Sequence, residues 1–127
     1  MKRLLFILAI LFTSITASFA QDNDPDEGNE RIPDKMSQFI QQQLKMSDDE
    51  SKKFDPVFHR YFKEWRKTLR DTRGDALVRQ QKVTDLQLRY RPQFREILGE
   101  DRGGKVYVYQ KAFIKELMDL QKRRRQR

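Results

Sequence analysis

The chain of 127 residues contains no cysteine, one histidine and one tryptophan. Without cysteine there is no disulfide, no thiolate nucleophile and no lipid-modified cysteine anchor. A lone His59, with no G-x-S-x-G or H-E-x-x-H pattern, leaves no catalytic constellation and no metal set, so neither an enzyme nor a cofactor is expected. Glycine is scarce, five residues, and proline scarcer, four. No run alternates apolar and polar residues long enough for a strand. No apolar run is long enough to cross a membrane: the longest, Leu4 to Phe12, stops short of a span.

What is present is charge. Lysine and arginine number 27 against 19 acids, a formal net charge of +8. The start has a three-part layout: Lys2 and Arg3, the apolar run, then a polar-small stretch ending Ser18-Phe19-Ala20. That is the pattern of a secretory signal, with cleavage expected after Ala20 and a periplasmic location. Gln21 to Lys35 then carries six acids against two bases, whereas Met36 to Arg127 carries 23 bases against 13 acids. Residues 21–32, poor in apolar side chains, read as an acidic disordered linker, and 33–127 as one helical domain. Export argues against nucleic acid as partner of the basic part; the anions outside the cytoplasm are lipid headgroups, wall polymers and acidic stretches of proteins. The closing "KRRRQR" complements a helix C-terminus and offers a weak contact to anionic membrane.

The fold class read from periodicity is all-α, with four helices. The first covers about 33–44, opened by Pro33, with Met36, Phe39, Ile40 and Leu44 as its stripe. The second covers about 48–73: Ser47 and Glu50 form a capping box, and Gly74 ends it. The third covers about 76–98, capped by Asp75 and stopped by Gly99, with Leu77, Val83, Leu86, Tyr90, Phe94 and Ile97 on one side. The fourth covers about 101–122, striped by Val106, Tyr109, Phe113, Leu117 and Leu120, its start frayed by Gly103 and Gly104. Pro56 and Pro92 interrupt the second and third helices at equal distances from Gly74. In an antiparallel hairpin they fall side by side and bend it as a unit; otherwise they end helices and the chain has six short ones.

On a helical wheel, Phe58, Phe62 and Trp65 border a cationic arc of Arg60, Lys63, Arg66, Lys67 and Arg70. Core on one side and solvent on the other explains most of this. The arc is rich in aromatics for so short a chain, however, so part of it is a candidate client or partner surface. Trp65 also suits a core or dimer interface. His59 falls among the bases and reads as solvated. Asp48, Asp49 and Glu50 suit a helix start better than a metal site.

The stretch "LKMSDDE" opening a long helix in an exported, cysteine-free helical chain resembles the Spy/CpxP superfamily, marked by a repeated L-T-x-x-Q motif. Met46, Ser47 and Glu50 stand at the first motif position, and Leu98, Gly99 and Arg102 at the second, where Gly99 and Arg102 depart from the pattern. Phe39 to Tyr61 and "LRYRPQF…LG" look closest to a branch labelled sensors of extracytoplasmic-function sigma factors. The resemblance implies a cradle-like helical homodimer with a basic concave surface. It would hold unfolded or partly folded envelope proteins without ATP or, alternatively, bind a single envelope stress regulator or anti-sigma protein.

Overall fold

The structure, a computed structural model, describes residues 25–126. The expected signal peptide and the first residues of the acidic segment lie outside the described residues. Pro33–Arg127 forms one compact unit. The described residues are helical, with no strand among them: α1 (Pro25–Gln43), α2 (Asp48–Asp71), α3 (Ala76–Leu98), the short α4 (Glu100–Gly104) and α5 (Val106–Arg125).

Helix α1 begins eight residues earlier than Pro33, so residues 25–32 are helical rather than linker. Pro25 takes the first helical position, where its missing N–H is not needed. Pro33 is therefore inside α1 and does not open it. At the other end, Met46 N–H donates to Gln41 O at 3.0 Å and Lys45 N–H to Gln42 O at 3.2 Å, with Lys45 at φ +50°. This is a Schellman stop made with a lysine where glycine is usual.

Helix α2 starts on the expected capping box. Glu50 N–H donates to Ser47 Oγ at 3.2 Å, and Ser47 N–H donates to Glu50 Oε1 at 3.0 Å. Gly74 at φ +91° makes the hairpin turn, and Val78 N–H donates to Asp75 Oδ1 at 3.1 Å to begin α3. Both Pro56 and Pro92 lie inside their helices. The six-helix alternative is thereby excluded. Phe54, two residues before Pro56, meets Phe94, two residues after Pro92, with ring centroids 5.5 Å apart. The prolines therefore sit at one level of an antiparallel hairpin, and both are exposed.

Phe54, Phe58, Tyr61 and Phe62 from α2 and Leu86, Tyr90, Phe94 and Leu98 from α3 are buried, together with Met36 and Ile40 from α1, Leu44 just after it and Val106 from α5. Each such large apolar side chain contributes about 1.5–3 kcal/mol by leaving water. Tyr107 of α5 closes the cluster, 5.5 Å from Tyr61 and 5.9 Å from Phe94. Phe113 of α5 meets Phe39 of α1 at 5.6 Å.

The expected fourth helix is two helices, broken at Lys105. Gly103 does not fray. It is buried, and a Cβ there would lie 2.7 Å from the backbone of Arg95, so its missing side chain is what lets α4 lie against α3. Two ends of the expected stripes are uncovered: Leu77 is 80 % exposed and Leu120 is 51 % exposed.

Candidate binding surface

Periodicity marks the apolar arc of α2 correctly but not how much of it the rest of the fold covers. Phe58 and Phe62 are buried among Phe54, Tyr61 and Trp65, so neither is on the surface expected to meet a client. Trp65 is half-buried, its ring 5.4 Å from Phe62. The Arg66 guanidinium lies over the Phe62 ring, its Cζ 5.5 Å from the ring centroid. Such a contact holds the cation against an aromatic lid.

Arg60, Lys63, Lys67 and Arg70 are exposed and follow one another at three- or four-residue spacing, a continuous stripe along α2. Pro56 lies four residues before Arg60 on the same stripe. A proline ring presses on the carbonyl four residues back and opens its own side of a helix. Any bend at Pro56 therefore turns the cationic stripe outward, and beside the stripe a hollow lies in the groove between the two helices. That groove, about 500 Å³, is lined by Arg60, Lys63 and Glu64 from α2 and by Arg89, Tyr90 and Gln93 from α3. Glu64 Oε1 lies 3.6 Å from Arg89 Nη1. Tyr90 is pushed above the ordinary phenol range, first by burial and then by its hydrogen bond to the Glu64 carboxylate.

Arg89 was not among the expected site residues. Reflection about Gly74 sets Arg60 opposite Leu88, the neighbour of Arg89, so the hairpin register was the signal that could have found it.

The two L-T-x-x-Q-like positions come together. Arg102 donates to Glu50 through Nη1 at 3.0 Å and Nη2 at 2.6 Å, a two-pronged contact across 52 residues. Glu50 thus caps α2 and grips α4 at once. Leu98 is buried, Met46 is half-buried, and Gly99 at φ +89° ends α3. The clamp holds the base of the hairpin; it is not part of the cationic groove.

His59 is tied in rather than solvated among bases. Its Nδ1 donates to Asp55 O at 2.8 Å, and its Nε2 lies 2.6 Å from Asp34 Oδ1 of α1. Ser37 Oγ donates to Asp55 Oδ1 at 2.7 Å, and Gln41 Nε2 donates to Ser37 Oγ at 3.0 Å. Burial pulls the imidazole down, but its bonds to Asp55 and Asp34 and their negative charges together raise it above its ordinary value. This network joins α1 to α2 and does not reach the groove.

On the other flank of the hairpin, Trp65 lines an open recess of about 370 Å³ with Gln87, Tyr107, Val108, Gln110, Lys111 and Ile114. Its floor is ordered. Tyr61 Oη donates to Gln110 Oε1 at 2.6 Å, Gln87 Nε2 donates to Tyr61 Oη at 3.2 Å, and Tyr107 Oη donates to Gln87 O at 2.6 Å. Burial pushes the Tyr61 phenol up to about 12. Tyr107 is raised too, by burial and by the nearby Tyr61. Among the described residues no group of three or more His, Cys, Asp or Glu could hold a metal ion, and no helix is long and apolar enough to cross a membrane.

Compared with known proteins, the chain matches no family profile, no characterised protein and no solved structure.

Proposed function

We propose that this protein is an ATP-independent holding protein of the periplasm, similar to the Spy/CpxP group, that captures unfolded or partly folded envelope proteins by their acidic stretches. The single observation that carries this reading is the exposed stripe of Arg60, Lys63, Lys67 and Arg70, continued across the hairpin groove by Arg89. Exposed cations at these spacings attract carboxylates from a distance yet hold each one weakly, which suits fast capture and easy release. A homodimer belongs to the same reading, with the exposed Met118 and Leu120 of α5 as apolar surface for a second copy. So does a weak contact of the basic C-terminus with anionic lipid.

The test is light scattering from a denatured acidic client at low and high salt, without nucleotide. Aggregation should be suppressed at stoichiometric protein and less so at high salt, because exposed charges are screened within about 8 Å at physiological ionic strength. No suppression at low salt would end the holding reading and leave the regulatory partner of one envelope sensor or anti-sigma protein as the account to pursue.

A further inference from the structure

We infer that the recess beside Trp65 is a separate subsite, which takes one large apolar side chain of an extended polypeptide that carries an acidic residue next to it. The inference rests on the holding-protein reading and supplies its apolar half, since burial removes Phe58 and Phe62 from that role.

Three features identify the occupant. The walls are apolar and partly open: Trp65 and Ile114 are half-buried and Val108 is 60 % exposed. A space of about 370 Å³ is at the small end of ligand sites, wide enough for a phenylalanine or leucine side chain with its own peptide group.

The floor is polar in a specific way. Tyr61 already uses the oxygen of the Gln110 amide and the nitrogen of the Gln87 amide. The N–H groups of Gln110 and the oxygen of Gln87 are not used by Tyr61, and between them they can meet one peptide C=O and one peptide N–H. Because the Tyr61 hydroxyl holds both amide groups, little ordering is left to be done on binding.

The rim is charged. Lys111, exposed and three residues on from Val108 along α5, stands where an acidic neighbour of the inserted side chain would lie. A small apolar metabolite would use the walls but neither the amide pair nor the lysine. The polypeptide segment uses all three.

Trp65 is the only tryptophan in the chain, so its emission reports on this recess. The probes are capped eight-residue peptides with one Phe beside a Glu, with Ala in place of the Phe, and with Lys in place of the Glu, titrated into the purified protein. The Phe–Glu peptide should shift the Trp65 emission, and the Ala peptide should bind about tenfold more weakly. Lys111→Glu should weaken the Phe–Glu peptide about threefold to fivefold at low salt, a gap that closes at high salt. Val108→Gln should weaken the Phe–Glu peptide at either salt; the position is exposed, and a melting temperature equal to the wild type confirms the fold.

Equal affinity for the Phe and Ala peptides, with Trp65 emission unmoved while the protein still suppresses aggregation, overturns the subsite and leaves the holding reading intact. Phe-dependent binding without any suppression upholds the subsite and ends the holding reading. Neither effect in the wild type ends both.

Discussion

At the proline level of the α2–α3 hairpin, Phe54, Phe58, Tyr61, Tyr90 and Phe94 lie ring against ring, and each is buried. From Trp65 around the turn to Val83, by contrast, only Thr72 is buried, and Leu77 and Val78 face outward. The same two helices, continuous and well capped, thus have a stem packed like a protein interior and a turn end that is little more than a helical ribbon. Helical periodicity alone does not distinguish them; a third and fourth helix over the stem do. The stem carries the fold, and the exposed cations Arg60, Lys63, Lys67 and Arg70 lie outside its packing. Stability spread this unevenly is ordinary, and the less stable end is where binding surfaces tend to be found.

The contrast breaks most visibly in the core. Phe94→Ala should cost about 3–5 kcal/mol, as large-to-small changes at buried aromatics do. Leu77→Ala, an equally apolar truncation near the turn, should stay within about 0.5 kcal/mol. Urea unfolding of the two variants reads the difference, and equal losses would mean that the turn end is packed after all. Next comes the seat of α4. Gly103→Ala would force a Cβ to within 2.7 Å of the Arg95 backbone, and Gly104→Ala meets nothing within 4 Å. The first should lose about 1–3 kcal/mol, and the second should be neutral or slightly stabilising.

The clamp follows. A double-mutant cycle on Glu50→Ala and Arg102→Ala should return a coupling of about 1 kcal/mol. The value is modest because the pair is partly exposed and the buried Nε of Arg102 has no partner. The smallest effect belongs to His59. Its folded value is raised, so the stability it adds is fully present below its ordinary 6.5 and is lost as pH rises through the folded value. Melting temperatures of wild type and His59→Gln should therefore differ most at mildly acid pH and converge above neutrality. A constant gap across that range would assign the histidine a packing role only.

Much of the scaffold was legible in the sequence because its signals are local. Ser47 with Glu50, Gly74 with Asp75, and Gly99 each act within a turn of their own position. The equal spacing of Pro56 and Pro92 from Gly74 even carried the register. The features that sequence did not show depend on partners far along the chain. The tolerance of α4 for Gly103 depends on Arg95, the tethering of His59 on Asp34, and the role of Arg102 on Glu50. The burial of Phe58 and Phe62 was hidden for a related reason: a wheel gives the direction of an apolar face, and only the packed helices determine how wide an arc they cover. Lys45 in the left-handed region left no signal at all, since lysine has no preference for it. The early start of α1 was missed because residues 25–32 carry little of the apolar stripe that marks a helix.

The central claim is that the stem holds the fold while the exposed cations of α2 do the capturing, and that the two can be separated. Lys63→Glu, Lys67→Glu and Arg70→Glu combined in one protein test this directly, with thermal unfolding and client light scattering measured on the same sample. All three side chains are exposed, and surface changes of this kind usually move stability by no more than about 0.5 kcal/mol each. The account predicts a melting temperature close to wild type together with loss of most low-salt suppression of an acidic client. A triple variant that keeps its melting temperature and suppresses aggregation as well as wild type would contradict it.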